Sequence, residues 1–91
     1  MEIHLLLSFE RGGEEMLVKF SGRRLREERR GQKRSQDWLA EQADTSIRYI
    51  RDLEKGVKSN PSAGLLYRLS NALDLEMEDL MTVRKGEENK T

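Results

Sequence analysis

The stretch SQDWLAEQADTSIRYIRDLEKG, residues 35–56, decides how this chain folds. Apolar residues recur in it at helical spacing twice, first as Leu39, Ala40 and Ala43, then as Ile47, Ile50 and Leu53. A serine suited to capping precedes each run, Ser35 and Ser46, and the second run closes on Gly56. Only Asp44 and Thr45 lie between the two. So short a joint suits two helices crossing at a steep angle better than an antiparallel hairpin, and Asp44 tolerates the left-handed backbone that such a turn requires. The second helix carries cations where a bland flank is usual. With Ile50 and Leu53 turned inward, its outward edge is Ser46, Ile47, Arg48, Arg51, Asp52 and Lys55.

Outward from this pair, the same signals repeat. SGRRLREERR begins at a candidate cap, Ser21, ends at Gly31 and offers only Leu25 as a strongly apolar position, so most of its surface is wet or touches something charged. After the polar loop VKSNP, a fourth helix runs from about Ser62 with Leu65, Leu66, Leu69, Ala72 and Leu73 inward; Pro61 keeps the preceding helix from continuing into it. LEMEDLM predicts a fifth short helix that places Leu75, Leu80 and Met77 or Met81 on the core. The expectation is therefore an all-α, five-helix domain over 19–82, followed by a disordered polar tail at 83–91.

Residues 1–18 fit that plan poorly and read as an N-terminal extension. IHLLLSF and MLVKF around a Gly-Gly turn suggest a β-hairpin. The alternative is that Met16 is the natural start, since GGEE just before a methionine is what a purine-rich ribosome-binding site gives when translated in frame.

The formal charge is zero, but it is segregated. Residues 1–15 hold one base against four acids, residues 16–61 twelve against seven, and residues 62–91 four against six. A basic middle between acidic ends can attract a polyanion locally while the molecule stays soluble. An enzyme is disfavoured, because there is no cysteine, only His4 as a terminal imidazole, and no phosphate loop of the right spacing. Neither a metal site nor a cofactor is expected. No apolar run reaches the roughly 20 residues of a membrane span, so the default is a cytoplasmic chain.

SQxxLA followed at this spacing by IxxLExG, with Leu25 and Arg29 before it and Pro61, Leu66, Ala72, Leu73, Leu75 and Leu80 after it, resembles the phage-repressor-like, Cro or Xre type, helix-turn-helix family over roughly residues 22–81. The resemblance implies a five-helix domain that lays its third helix in the major groove of double-stranded DNA, a groove about as wide as a helix with its side chains. It further implies base contacts from Ile47, Arg48 and Asp52, with Ser46 and Arg51 nearby; Asp52 is expected either to accept from a cytosine amine or to orient Arg48 four residues before it. Arg48 is the leading candidate, since arginine can give guanine two parallel hydrogen bonds. Gln36 matches the family's phosphate-binding glutamine. Lys55 and Lys58 are expected on the opposite strand, and Arg29 and Glu54 match an ion pair between helices one and three. Three positions depart from the pattern: Arg34 where an apolar residue is usual, read either as a more exposed loop or as an extra phosphate contact; Asp44 for the turn glycine; and Trp38 at a commonly charged site, read as packing with a partner surface as the alternative. Arg26 and Arg30 are expected to stay in solvent.

The implied molecule is a transcriptional regulator working as a homodimer on a palindromic operator, its contact surface on helix five and the loop after helix three. The rival is a helix-turn-helix used to hold protein, as an antitoxin masks a toxin or a coregulator binds its partner.

Overall fold

Four serines start four helices. In the computed structural model, which describes residues 6–11 and 14–85, the hydroxyls of Ser21, Ser35, Ser46 and Ser62 accept the backbone N–H of Arg24, Trp38, Tyr49 and Leu65 at 2.9–3.1 Å. Each serine thereby satisfies one of the orphan donors of a helix start, an arrangement worth about 1 kcal/mol. The helices are α1 (Gly22–Gly31), α2 (Gln36–Gln42), α3 (Ile47–Lys55) and α4 (Ala63–Ala72). Their far ends are also closed. Gly56 turns left-handed at φ 84° after α3, and Lys33, Asp44 and Asp74 adopt φ of 56–59° in the three other connections. Side chains reach across to two more helix ends, Arg68 Nε donating to the Ala43 carbonyl at 2.8 Å and Gln32 Nε2 to that of Leu73 at 2.6 Å.

Leu25, Leu39, Ala43, Ile50, Leu53, Leu69, Leu73 and Leu80 have no exposed surface and form the centre of the core, flanked by Phe20, Ala40, Leu65, Leu66 and Met81. Every helix contributes, and burying one such leucine or isoleucine is worth about 1.5–3 kcal/mol. Leu25, nearly alone as an apolar residue in α1, is fully buried, so a largely charged helix is held by one side chain and the ion pair described below.

Two expectations about the architecture are corrected. Among the described residues the helices number four, because Met77–Leu80 is a single 3₁₀ turn closed by a reciprocal cap between Glu76 and Asp79. It stops there because Met81 is drawn into a strand. The domain is likewise not all-α: β1 (Leu6–Arg11), β2 (Glu14–Phe20) and β3 (Met81–Lys85) form one antiparallel sheet in the order β1-β2-β3. The register pairs Phe20 with Met81 and Val18 with Val83. That side of the sheet meets the helices through buried Phe20 and Met81 and half-buried Val18. A strand thus takes residues 83–85, the first of the expected tail, and 86–91 lie outside the described residues, as do Gly12 and Gly13 between β1 and β2.

At Gly22 the backbones of α1 and α3 come into close contact. A Cβ built on Gly22 would fall onto the carbonyl oxygen of Leu53, closer than nonbonded atoms can sit, whereas one on Gly31 meets nothing within 4 Å. Gly22→Ala is therefore expected to cost at least about 2 kcal/mol of unfolding free energy in a urea titration, as overpacking does, while Gly31→Ala changes it by less than about 1 kcal/mol.

Candidate nucleic-acid interface

The α2–α3 unit carries the cationic edge that the sequence singles out. Ile50, Leu53 and Glu54 point α3 into the protein, and Ser46, Arg48, Arg51 and Lys55 are exposed along its other side. Asp52 is half-buried, and among the described residues no hydrogen bond or ion pair ties it to Arg48. Ile47 stands between the two sides, half-buried against the core, so only part of it faces outward. Lys58 is exposed in the loop beyond Gly56, where its backbone N–H closes on the Asp52 carbonyl at 3.0 Å.

Behind this edge lies a buried polar hub. Arg29 Nε and Nη2 donate to the two carboxylate oxygens of Glu54 at 2.7 and 3.0 Å, with side chains 9% and 2% exposed. Arg29 Nη1 also donates to the Arg34 carbonyl at 2.7 Å. The hydrogen bonding that Glu54 accepts, more than its charge, holds the Arg29 guanidinium above its ordinary pKa against the opposing effect of burial. Because the folded value is the raised one, the stabilisation Arg29 gains from this proton is fully present at neutral pH and disappears only as strong alkali passes the raised value.

Gln36 joins the hub, a contact that no motif or spacing foretells. Its Nε2 donates to Glu54 Oε1 at 3.0 Å and its Oε1 accepts from Arg51 Nε at 3.4 Å. One half-buried amide thus connects the buried pair to an exposed arginine of α3. Arg34 shows a second unforeseen contact, its guanidinium 4.2 Å above the ring of Trp38, which packs on the core edge. A cation covering an indole explains how a charged residue occupies a normally apolar site. The remaining ion pair among the described residues, Arg23–Glu27 at 3.2 Å, is exposed and contributes little.

No three carboxylates or imidazoles among the described residues gather closely enough to hold a metal ion, and no helix is long and apolar enough to cross a membrane. What the arrangement offers chemically is a row of hydrogen-bond donors on a rigid rod, backed by fixed charges.

The sequence profile of the helix-turn-helix family, in its Cro/C1-type form, matches residues 25–80. No curated protein sequence matches the chain. Among solved structures, the restriction-modification controller protein C.AhdI from Aeromonas hydrophila is similar at 36% identity and a TM-score of 0.61, over 65% of this chain and 88% of that one. SinR, the master regulator for biofilm formation, solved in complex with DNA and known from Bacillus subtilis, is similar at 30% identity and a TM-score of 0.62, over 65% and 97%. The clp gene regulator ClgR from C. glutamicum follows at 32% and 0.60, over 65% and 75%. SinR is also solved in a complex with SinI.

Removing one partner of the hub leaves the other charge buried without compensation. Arg29→Ala and Glu54→Ala are each expected to cost about 3–5 kcal/mol in chemical denaturation. The pair Arg29→Met with Glu54→Leu recovers much of that loss but not all, because the Nε2 donor of Gln36 and the carbonyl of Arg34 lose their partners.

Proposed function

The chain belongs to the Cro/C1-type helix-turn-helix family, and from that premise we propose that it is a transcriptional regulator that binds duplex DNA sequence-specifically, with α3 in the major groove. The observation that carries this reading is the division of α3 itself: Ile50, Leu53 and Glu54 are buried, while Arg48, Arg51 and Lys55 stand exposed along the opposite side. Base contacts are assigned to Ser46, Ile47, Arg48, Arg51 and Asp52, and phosphate contacts to Gln36, Arg34, Lys55 and Lys58. Ile47 brings only its exposed part, suited to a thymine methyl, and exposed Arg48 forks onto a guanine. Gln36 serves phosphate while it steadies Arg51.

The regulator acts in the cytoplasm as a homodimer. Two third helices about 34 Å apart then meet successive major-groove faces of a palindromic operator. Dimerisation supplies affinity that one module burying about 600–1,000 Å² on DNA lacks. A protein-binding use of the same fold is favoured by one observation, the exposure of Val57 and Tyr67 away from the core.

Salt separates the two uses. A dimer making about eight phosphate contacts loses affinity with a log–log slope near −7 as salt rises, and a protein partner gives a much shallower one. Selection from random duplexes, repeated with Arg48→Ala, is expected to erase the preference at one position per half-site, at about 1–3 kcal/mol. Lys58→Ala should weaken all sequences equally and flatten the slope by about one per protomer. An unchanged consensus for Arg48→Ala removes it as the reading residue, and a slope near zero for the parent chain removes the DNA reading.

A further inference from the structure

A shallow basin of about 200 Å³ opens where α1, α2 and α3 converge, lined by Arg26, Arg29, Arg30, Gln36, Glu54 and Lys55. Its floor is the hub, where Glu54 is occupied by Arg29 and Gln36. Its rim is different. Arg26, Arg30 and Lys55 are exposed, and among the described residues none of them forms an ion pair. Arg26 and Arg30 stand four residues apart on one helix, where like charges repel, and Lys55 adds a third charge from another element. An anion bridging the three relieves that repulsion. The second N–H of the Gln36 amide, not engaged with Glu54, adds a neutral donor at the same rim.

Position identifies the anion. Gln36 hydrogen-bonds Arg51, and Lys55 lies one helical turn beyond Arg51, so the basin adjoins the cationic edge of α3. A helix seated in the major groove has the sugar-phosphate wall beside it. We infer that the basin is a seat for one phosphodiester of the DNA backbone, gripped by Arg26 and Arg30 of α1 together with Lys55. These two arginines, which the sequence alone leaves to solvent, become clamp residues of the interface. A phosphodiester offers two free oxygens to two guanidinium forks, the geometry that arginine matches best. The inference rests on the DNA-binding reading above and deepens it.

The test uses the full chain and a duplex selected by it, with one phosphate at a time replaced by a neutral methylphosphonate. The parent chain is expected to lose about tenfold in affinity at one flanking position per half-site, as removal of one neutralised phosphate predicts near 0.1 M salt. The R26A/R30A double variant should be indifferent to that position, sensitive at the others, and shallower in salt slope by about one per half-site. R26K/R30K should regain most of the slope. Thermal melting of each variant confirms an intact fold, which the exposure of both side chains leads one to expect. The seat is overturned if the alanine variant keeps the parent's methylphosphonate profile, or if its loss is spread evenly over all positions. A parent chain that binds no duplex at all instead overturns the DNA reading, and the seat's ligand with it.

Discussion

One carboxylate is shared by three helices. Glu54 leaves α3 and takes a two-pronged grip from Arg29 of α1 and a third hydrogen bond from Gln36 of α2. Burying such a pair is costly, and aliphatic packing in its place would hold the helices together about as well. The difference lies in geometry. Leucine and isoleucine contacts tolerate small slides, whereas a guanidinium fork on a carboxylate has one good arrangement. The tilt of α3 relative to α1 and α2 is therefore fixed from its inner side, and the direction in which Arg48, Arg51 and Lys55 project follows from it. Gln36 extends the constraint to the surface, so an exposed arginine inherits order from a buried ion pair.

Much of this was legible in the residues because it is local. Serine three residues before a backbone donor, glycine or aspartate where the chain turns left-handed, and leucines at three- and four-residue spacing each act within one helical turn. The four helix starts at Ser21, Ser35, Ser46 and Ser62 follow directly from such signals. What the residues concealed is non-local. LEMEDLM has helical spacing, yet it ends after one 3₁₀ turn because the next residues pair with β2, more than sixty positions earlier in the chain. The only trace of β3 was the β-branched pair Thr82 and Val83. In the same way, no spacing rule places Gln36 between Glu54 and Arg51, or discloses that Gly22 must be a glycine because α3's backbone lies against it.

The sheet lies beyond the part of the chain that the family pattern covers. The family profile spans residues 25–80, and β1, β2 and β3 lie wholly outside that span. It is nevertheless seated on the common domain rather than trailing from it. Phe20 and Met81, paired across β2 and β3, are both part of the core, and the Ser21 N–H donates to the Leu80 carbonyl at 2.9 Å. The entry to the first helix and the exit from the last turn are thus stitched side by side, which removes two frayed ends from the domain.

Arg34 lying over Trp38 has a practical side. The ring is the chain's single tryptophan, so its emission comes from one place, the face of α2 next to the proposed phosphate contacts. A positive charge held 4.2 Å from an indole biases its excited state. Any polyanion that draws the guanidinium aside alters that field and with it the colour and brightness of the fluorescence. The protein therefore carries its own unlabelled optical gauge of occupancy, built from its tryptophan and the arginine that lies over it.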